Sequence, residues 1–118
     1  FISIFGFSPS HLDLHKSTYL AESRPIIEQF CQKKNIPCRD WDKVVNGTEL
    51  TVENLQKIIK EFRDSEYYEI FFHPGVYDPA SSSSLNKARE EDARKIETIY
   101  PFLKENSVKL ISYLDLKN

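Results

Sequence analysis

The stretch YYEIFFHPG at residues 67–75 decides the fold prediction, because it joins a β-strand pattern to a polar turn. Residues 67–72 combine Tyr, Ile and Phe, which favour strands, and His73-Pro74-Gly75 ends the run. Before it, Thr51 is a good N-cap for a helix with apolar side chains at helical spacing. Those side chains are Val52, Leu55, Ile58, Ile59 and Phe62. A helix followed by a strand that ends in a polar turn is typical of an α/β protein.

The rest of the chain continues this alternation. Residues 1–7 are apolar and predict a strand, or a helix end with Gly6 just after the last turn. Leu12 and Leu14 alternate with polar residues, as they do in a strand. A helix is predicted over 24–34, with Ser23 as its cap, Pro25 in its first turn and an apolar stripe of Ile26, Ile27, Phe30 and Cys31. A short strand over 36–39 and a loop over 40–50 follow this helix. After the stretch at 67–75, the sequence predicts a loop over 78–84, a helix over 86–100 that buries Ala88, Ala93, Ile96 and Ile99, and a closing strand over 108–114.

Strands that alternate with helices are expected to be parallel and joined by crossover helices. Four such strands would make about half of a (β/α) barrel or a small open sheet. We therefore expect one α/β domain over residues 1–118. The chain begins at Phe1 and contains no methionine, which a cropped segment or a processed product would explain.

Composition excludes several classes of protein. The net charge is −2 and basic residues are scattered among acidic ones, so no basic face for nucleic acid is expected. No apolar run approaches the roughly 20 residues of a membrane-spanning helix, and no secretory signal pattern is present. Cys31 and Cys38 match no zinc motif, and we predict that both are small buried hydrophobic residues in a reducing, cytoplasmic compartment.

The histidines of the chain follow predicted strands. His11, Asp13 and His15 share one face of the first strand pattern, and His73 follows residues 67–72. In parallel α/β folds, sites gather at the carboxyl ends of strands. Imidazole is the commonest protein metal ligand, and its second nitrogen needs an acceptor such as a carboxylate. Taken singly, however, a histidine beside a strand is more often structural, and Asp13 suits a turn or a cap equally well.

Four further side chains are candidates for contact with a substrate or with acidic groups. Trp41 and Tyr77 can line a sugar pocket, although aromatic side chains usually pack in the core. Arg39 and Arg89 can orient acidic or substrate groups, although surface arginines usually form ion pairs.

Six segments, in order along nearly the whole chain, match the motifs of one family. SPSHLDLHK at residues 8–16 is similar to PTHLDSHxH, and EIFFHPGVYD at residues 69–78 is similar to ElmcHPGyvD. NIPCR at residues 35–39 is similar to lPvR, and residues 50–55 are similar to a loop-to-helix segment of the family. SSSLN at residues 82–86, together with Arg89 and Glu90, is similar to SSYnxxRexEl. Residues 108–116 are similar to ielisyxdl. Together these motifs resemble the YdjC-like (ChbG-type) carbohydrate deacetylases.

The resemblance implies an irregular (β/α) barrel of the polysaccharide-deacetylase type, of which this chain holds about half. It implies a divalent metal, Mg or Zn, held by one aspartate and two histidines, which by motif are His11 and His73. The family's aspartates lie in a DDxG turn after its first strand, and no Asp-Asp pair occurs here. One ligand and the general base are therefore expected in an N-terminal segment outside this sequence. Residues 17–19 also differ from the further histidines that family members often carry.

The reaction implied by the resemblance is hydrolysis of an N-acetyl group, which yields an amino sugar and acetate. The metal would polarise the carbonyl group and lower the pKa of a bound water. An aspartate would take the proton of that water, and His15 would protonate the leaving amine. Arg39 would orient the aspartate pair, and Asp13 would support a ligand histidine.

Three functions stay open: an amidohydrolase acting on an N-acetylated sugar or short oligosaccharide, a non-catalytic or degenerate domain that binds metal or sugar, and a metal-free structural module. We favour the first for the intact protein. From these 118 residues alone we expect little activity, because two histidines fall short of the three protein ligands typical of catalytic zinc. Unpaired strand edges predict a homo-oligomer or a complementing N-terminal segment.

Overall fold

The computed structural model describes residues 2–14, 20–62 and 66–116 of the chain. The chain divides into two compact units. The first unit comprises residues 1–40 and 110–118, and the second unit comprises residues 41–109. No helix in the described ranges is both long enough and apolar enough to cross a membrane.

The second unit is built on a strand–helix–strand element. Strands β1 (Val44–Asn46) and β2 (Glu69–Phe71) are parallel, and helix α3 (Val52–Glu61) connects them. This pair has the expected arrangement of parallel strands joined by a helix, although the sequence predicted only the second of the two strands. The predicted loop over residues 40–50 is wrong, because this segment contains β1 between two short 3-10 turns. A strand of three residues is too short for a period-two pattern to stand out in the sequence.

Helix α3 begins where the sequence predicts. Thr51 is its N-cap, and the hydroxyl oxygen of Thr51 accepts a hydrogen bond from the backbone N–H of Asn54 at 3.3 Å. Leu55 and Ile59, one turn apart on the same face, are buried. They form the core with Ile99, and half-buried apolar residues from both strands and the flanking segments pack around them.

Helix α4 (Arg89–Glu105) follows a 3-10 turn over Asn86–Ala88 and continues beyond the predicted end at residue 100. Ile99 is buried as predicted. Ile96 was predicted to be buried, and this is wrong, because the side chain is 37% exposed.

The buried face of α4 carries charged side chains that account for this difference. Asp92 is fully buried and Lys95 is 7% exposed, and both share a face with Ile99. Hydrogen bonds of both side chains with Thr48 hold this face of the helix inward. The helix is therefore rotated away from the orientation that its apolar residues alone predict.

The described residues of the first unit include two helices. Helix α1 (Ile2–Phe5) is followed by Gly6 with φ of +74°, so the predicted helix end, rather than the predicted strand, is confirmed. Helix α2 (Leu20–Lys34) ends at Asn35, as predicted, in the left-handed conformation with φ of 50°. It begins upstream of the predicted start, and Pro25 lies inside it rather than in its first turn. A proline disfavours helix before it but does not forbid it.

The apolar stripe predicted for α2 is only partly buried. Cys31 is buried and Ile27 is half-buried. Ile26 and Phe30, by contrast, are 68% and 46% exposed. The stripe that the sequence predicts is therefore wider than the face that the first unit covers.

The predicted strands of the first unit are reduced to one bridge. Leu12 and Cys38 form an isolated parallel bridge, in which the Leu12 N–H donates to the Pro37 carbonyl oxygen at 2.9 Å. The closing strand predicted over residues 108–114 is wrong, since no strand forms there and Tyr113–Leu116 is a 3-10 turn. The Asp115 carboxylate accepts from both the N–H and the hydroxyl of Ser112 at 2.7 Å, which folds the chain back locally. The half barrel stays a prediction, because the described strands form a single two-stranded sheet.

Candidate metal and catalytic residues

His73 and Thr48 meet at the carboxyl ends of the two parallel strands. The strands pair residues 25 apart in number, as in Asn46 with Phe71, and Thr48 and His73 continue this register beyond the last pair. The Thr48 Oγ1 atom lies 3.1 Å from the His73 Nδ1 atom. Between them, a Cβ atom added to Gly47 would lie 2.4 Å from the Phe72 ring, so only glycine allows this close approach. The predicted location of His73 at a strand end is confirmed.

The carboxylate of Asp92 lies behind this pair. Its Oδ2 atom accepts a hydrogen bond from the Thr48 hydroxyl at 2.6 Å and from the backbone N–H of His73 at 2.9 Å. The Lys95 ammonium donates to the Thr48 carbonyl oxygen at 2.8 Å and lies 3.6 Å from Asp92 Oδ1. Asp92 Oδ1 itself has no hydrogen-bond donor within the part of the chain that the structure describes.

These contacts keep Asp92 ionised. Burial alone would raise the pKa of the Asp92 carboxyl. The hydrogen bonds from the Thr48 hydroxyl and the His73 N–H, together with the charge of Lys95, outweigh burial and hold the pKa below its ordinary value. Asp92 is therefore a carboxylate that accepts hydrogen bonds and does not donate them at neutral pH.

The loop after His73 is fixed to the start of α4. The Asn86 side chain accepts from the Asp78 N–H at 3.0 Å and donates to the Asp78 carbonyl oxygen at 2.6 Å. The Gly75 N–H donates to the Arg89 carbonyl oxygen at 3.2 Å. These bonds tie the backbone of residues 75–78 to the start of α4.

His11 lies in the first unit, in a different environment. Its Nδ1 atom is 3.0 Å from the hydroxyl oxygen of Ser10. Its ring stacks on the Tyr113 ring, with centroids 3.9 Å apart and planes 7° apart. The half-buried imidazole is therefore contacted on one face by the Tyr113 ring and at Nδ1 by the Ser10 hydroxyl group.

Two other predicted catalytic residues form an ion pair in the same unit. Arg39 Nη1 lies 2.9 Å from Asp13 Oδ2, and the two side chains are 19% and 30% exposed. Asp13 was predicted to support a ligand histidine, whereas the hydrogen-bond partner of His11 Nδ1 is the Ser10 hydroxyl group. His15, the predicted general acid, lies outside the described residues.

The predicted substrate residues lie in the second unit. Trp41 begins a 3-10 turn just before β1 and is half-buried. Tyr77 is 47% exposed, and its backbone N–H donates to Glu90 at 3.2 Å. The half-buried Arg89 side chain packs beside Gly75, where an added Cβ would lie 3.2 Å from the Arg89 Cδ atom. Tyr77 therefore lies in the loop that follows His73, and Arg89 packs beside that loop.

The described residues do not complete a metal site. Across residues 2–14, 20–62 and 66–116, no group of three or more His, Cys, Asp or Glu side chains is arranged to hold a metal ion. His11 and His73 each fit the role of a single ligand, because each is held through Nδ1 by a hydroxyl group. A third protein ligand is not found in the described ranges.

The cysteines are not candidates for catalysis. Both are free thiols, and Cys31 is 2% exposed. Burial, followed by the neighbouring Cys31 thiol, raises the pKa of Cys38 to about 11. A thiol with this pKa is almost fully protonated at neutral pH and is a poor nucleophile.

Thr48, Asp92 and Lys95 are not among the site residues that the sequence predicts. Thr48 follows a strand that was not predicted. Asp92 belongs to the acidic run over residues 90–92, which is typical of an exposed helix start. The available signal was spacing, because residues 92 and 95 share one helical face with the buried Ile99.

Comparisons of this chain with known protein families, with curated proteins and with solved structures find no match.

Proposed function

We propose that this chain is part of a metal-dependent hydrolase that removes N-acetyl groups from amino sugars or short oligosaccharides. In this proposal it belongs to the YdjC-like deacetylases, and His11 and His73 are two ligands of a divalent cation, Mg or Zn. The third ligand and the general base come from an aspartate segment that this sequence does not contain. We propose a reducing compartment, the cytoplasm, because two cysteines are too few to suggest a disulfide scaffold.

The observation that carries the proposal is shared by the two histidines. Each ring has its Nδ1 atom beside a hydroxyl group, Ser10 at 3.0 Å from His11 and Thr48 at 3.1 Å from His73. In the hydrogen bonds of the described residues, neither Nε2 atom has a partner. Metal-ligating histidines are held in this way, with one nitrogen hydrogen-bonded and the other directed at the metal. The HPG and HLDLH motifs supply the same two residues from the sequence alone.

The chain's other residues have roles that follow from their contacts. A bound divalent cation would supply a Lewis acid and a water of lowered pKa. The ion pair of Arg39 with Asp13 would fix the guanidinium beside the His11 segment, where it can orient a further carboxylate. Tyr77, in the loop after His73, and Arg89, which packs beside Gly75, would contact the sugar together with Trp41. His15 would donate the proton to the leaving amine.

A second candidate is a non-catalytic domain that binds a metal or a sugar. It is favoured by the lack of a third ligand among the described residues. The two candidates differ in one outcome, because only the hydrolase releases acetate.

Acetate release by the product of the complete gene separates the candidates. We expect N-acetylated chito-oligosaccharides to yield acetate and a free amine, and we expect a chelator to abolish the reaction until Zn²⁺ or Mg²⁺ is restored. His73→Ala should lower the rate of acetate release by at least about 100-fold, because loss of a metal ligand should cost no less activity than loss of a residue that only hydrogen-bonds to a ligand. Thr98→Val, an exposed change on α4, is the control. Binding of the oligosaccharide without any acetate release would favour the non-catalytic domain instead.

A further inference from the structure

The contacts around His73 form a chain of three groups. Buried Asp92 accepts a hydrogen bond from the Thr48 hydroxyl at 2.6 Å, and the Thr48 oxygen lies 3.1 Å from His73 Nδ1. Asp92 also accepts from the backbone N–H of His73 at 2.9 Å. The carboxylate therefore holds the main chain of His73 directly and the ring of His73 through Thr48.

The number of available hydrogen atoms determines the direction of these bonds. A hydroxyl group has one hydrogen, and an ionised carboxylate can only accept. The hydrogen of Thr48 is therefore used on Asp92, as the short distance of 2.6 Å between the two oxygens indicates. The Thr48 oxygen is left as an acceptor, so the proton in the bond to His73 belongs to Nδ1. In the neutral ring, Nε2 then carries the lone pair.

Lys95 keeps this arrangement in place. The residue is 7% exposed, and its ammonium group donates to the backbone carbonyl of Thr48 at 2.8 Å and lies 3.6 Å from Asp92 Oδ1. A buried positive charge beside Asp92 favours the ionised carboxylate, and the bond to the Thr48 carbonyl fixes the residue that carries the hydroxyl.

We propose that Thr48 and Asp92 are positioning residues that restrict His73 to the Nδ1–H tautomer and so direct the Nε2 lone pair toward a divalent cation. The presence of a cation at this site rests on the proposed function, whereas the assignment of the tautomer follows from contacts within the metal-free chain. A neutral histidine in water exchanges between two tautomers. A ring restricted to one of them is ready to coordinate through Nε2 without rearrangement.

His11 provides an internal comparison. Its Nδ1 atom faces the hydroxyl of the neighbouring Ser10 at 3.0 Å. Within the described residues, that hydroxyl has no carboxylate behind it to take its hydrogen. Ser10 can then donate or accept, and both tautomers of His11 satisfy the bond. We expect a single tautomer at His73 and a mixture at His11.

Nitrogen NMR of the metal-free, ¹⁵N-labelled chain tests the proposal. Long-range ¹H–¹⁵N correlations distinguish protonated from unprotonated ring nitrogens, and they are recorded above about pH 7.5, where an ordinary histidine is neutral. Signals are assigned with His11→Gln and His15→Gln. We expect His73 Nδ1 at the protonated position and Nε2 at the unprotonated position. Thr48→Val should shift both nitrogens toward averaged values, and Thr48→Ser should restore the wild-type pattern.

Matched variants separate this effect from a general change in the fold. Thr98→Val makes the same chemical change on α4, where the hydroxyl bonds to the Arg94 carbonyl, and should leave the His73 signals unchanged. Asp92→Asn should move His73 toward averaging, because an amide no longer directs the Thr48 hydrogen as a carboxylate does.

The outcomes are distinct. Averaged or Nε2–H signals for His73 in the wild type overturn the proposal, even if Thr48→Val does not fold. Unchanged His73 signals in a folded Thr48→Val overturn the role of Thr48, and unchanged signals in Asp92→Asn overturn that of Asp92. A single Nδ1–H tautomer in a chain that binds no Zn²⁺ supports the positioning role and counts against the metal site.

Discussion

Asp92 is the residue on which the polar contacts of the second unit depend. Its carboxylate is fully buried and holds Thr48, the His73 backbone and, by charge, Lys95. Removing one partner of a buried charge pair is costly, because the other charge is left in a poorly solvating environment. Lys95 would still contact the Thr48 carbonyl and lie 3.5 Å from Glu91, which softens the loss.

We predict that Asp92→Asn lowers the free energy of unfolding by about 3 kcal/mol at pH 7, the lower end of the cost of breaking a buried pair. The pKa of Asp92 is depressed in the folded state, so its contribution is present above the unfolded pKa of about 3.9. That contribution is lost as the pH falls through the lower folded pKa. The difference between wild type and variant should therefore shrink in acid, as measured by urea unfolding from pH 7 to pH 3.

Glu97→Gln is the control for this prediction, since Glu97 is an exposed carboxylate on the same helix. It should change stability by no more than about 0.5 kcal/mol. If Asp92→Asn has the same free energy of unfolding as the wild type at pH 7, or if its loss of stability does not diminish in acid, the buried pair contributes little.

At the scale of elements, Thr51 fixes the start of α3 and hence the crossover between the two strands. Its hydroxyl oxygen accepts the Asn54 N–H, one of the donors that a helix start leaves unpaired. Thr51→Ala should cost about 1 kcal/mol of stability, and Thr51→Ser should recover most of it. Thermal or urea unfolding measures both. Equal stability of the alanine and serine variants would mean that the cap does not limit this helix.

The elements also show which parts of the fold were predictable from the sequence. Helix α3 was predictable, because its N-cap and the spacing of its apolar residues are both local features of the sequence. Strand β2 was predictable from its aromatic and β-branched residues, and the position of His73 after it followed from that strand prediction. Strand β1 and residues 108–114 were not, because a strand exists only through a neighbour that local patterns do not identify.

The candidate site was predictable to the same extent. His11, Asp13 and His73 belong to recognisable motifs, and the structure pairs Asp13 with Arg39. Thr48 and Asp92 come together only through the register of two parallel strands and the rotation of α4. Such contacts join residues 44 apart in number and leave no periodic signal in the sequence.

At the scale of the whole molecule, the chain leaves much apolar surface uncovered. Ile4, Leu110 and Val76 are 78%, 62% and 80% exposed. In the described part of the chain, each strand has one neighbour, so each has one unpaired edge. Exposed apolar side chains and free strand edges favour association. We predict concentration-dependent self-association of the chain in sedimentation velocity, and a stable monomer over a wide concentration range would contradict this.

Zn²⁺ titration by calorimetry is the sharpest test of the proposal that His11 and His73 bind a metal. The wild-type chain is compared with His11→Ala and His73→Ala, and His15→Ala serves as the control that removes an imidazole without removing a proposed ligand. We predict that each ligand substitution weakens Zn²⁺ binding by more than about tenfold and that His15→Ala does not. Unchanged Zn²⁺ binding in both His11→Ala and His73→Ala would contradict the account.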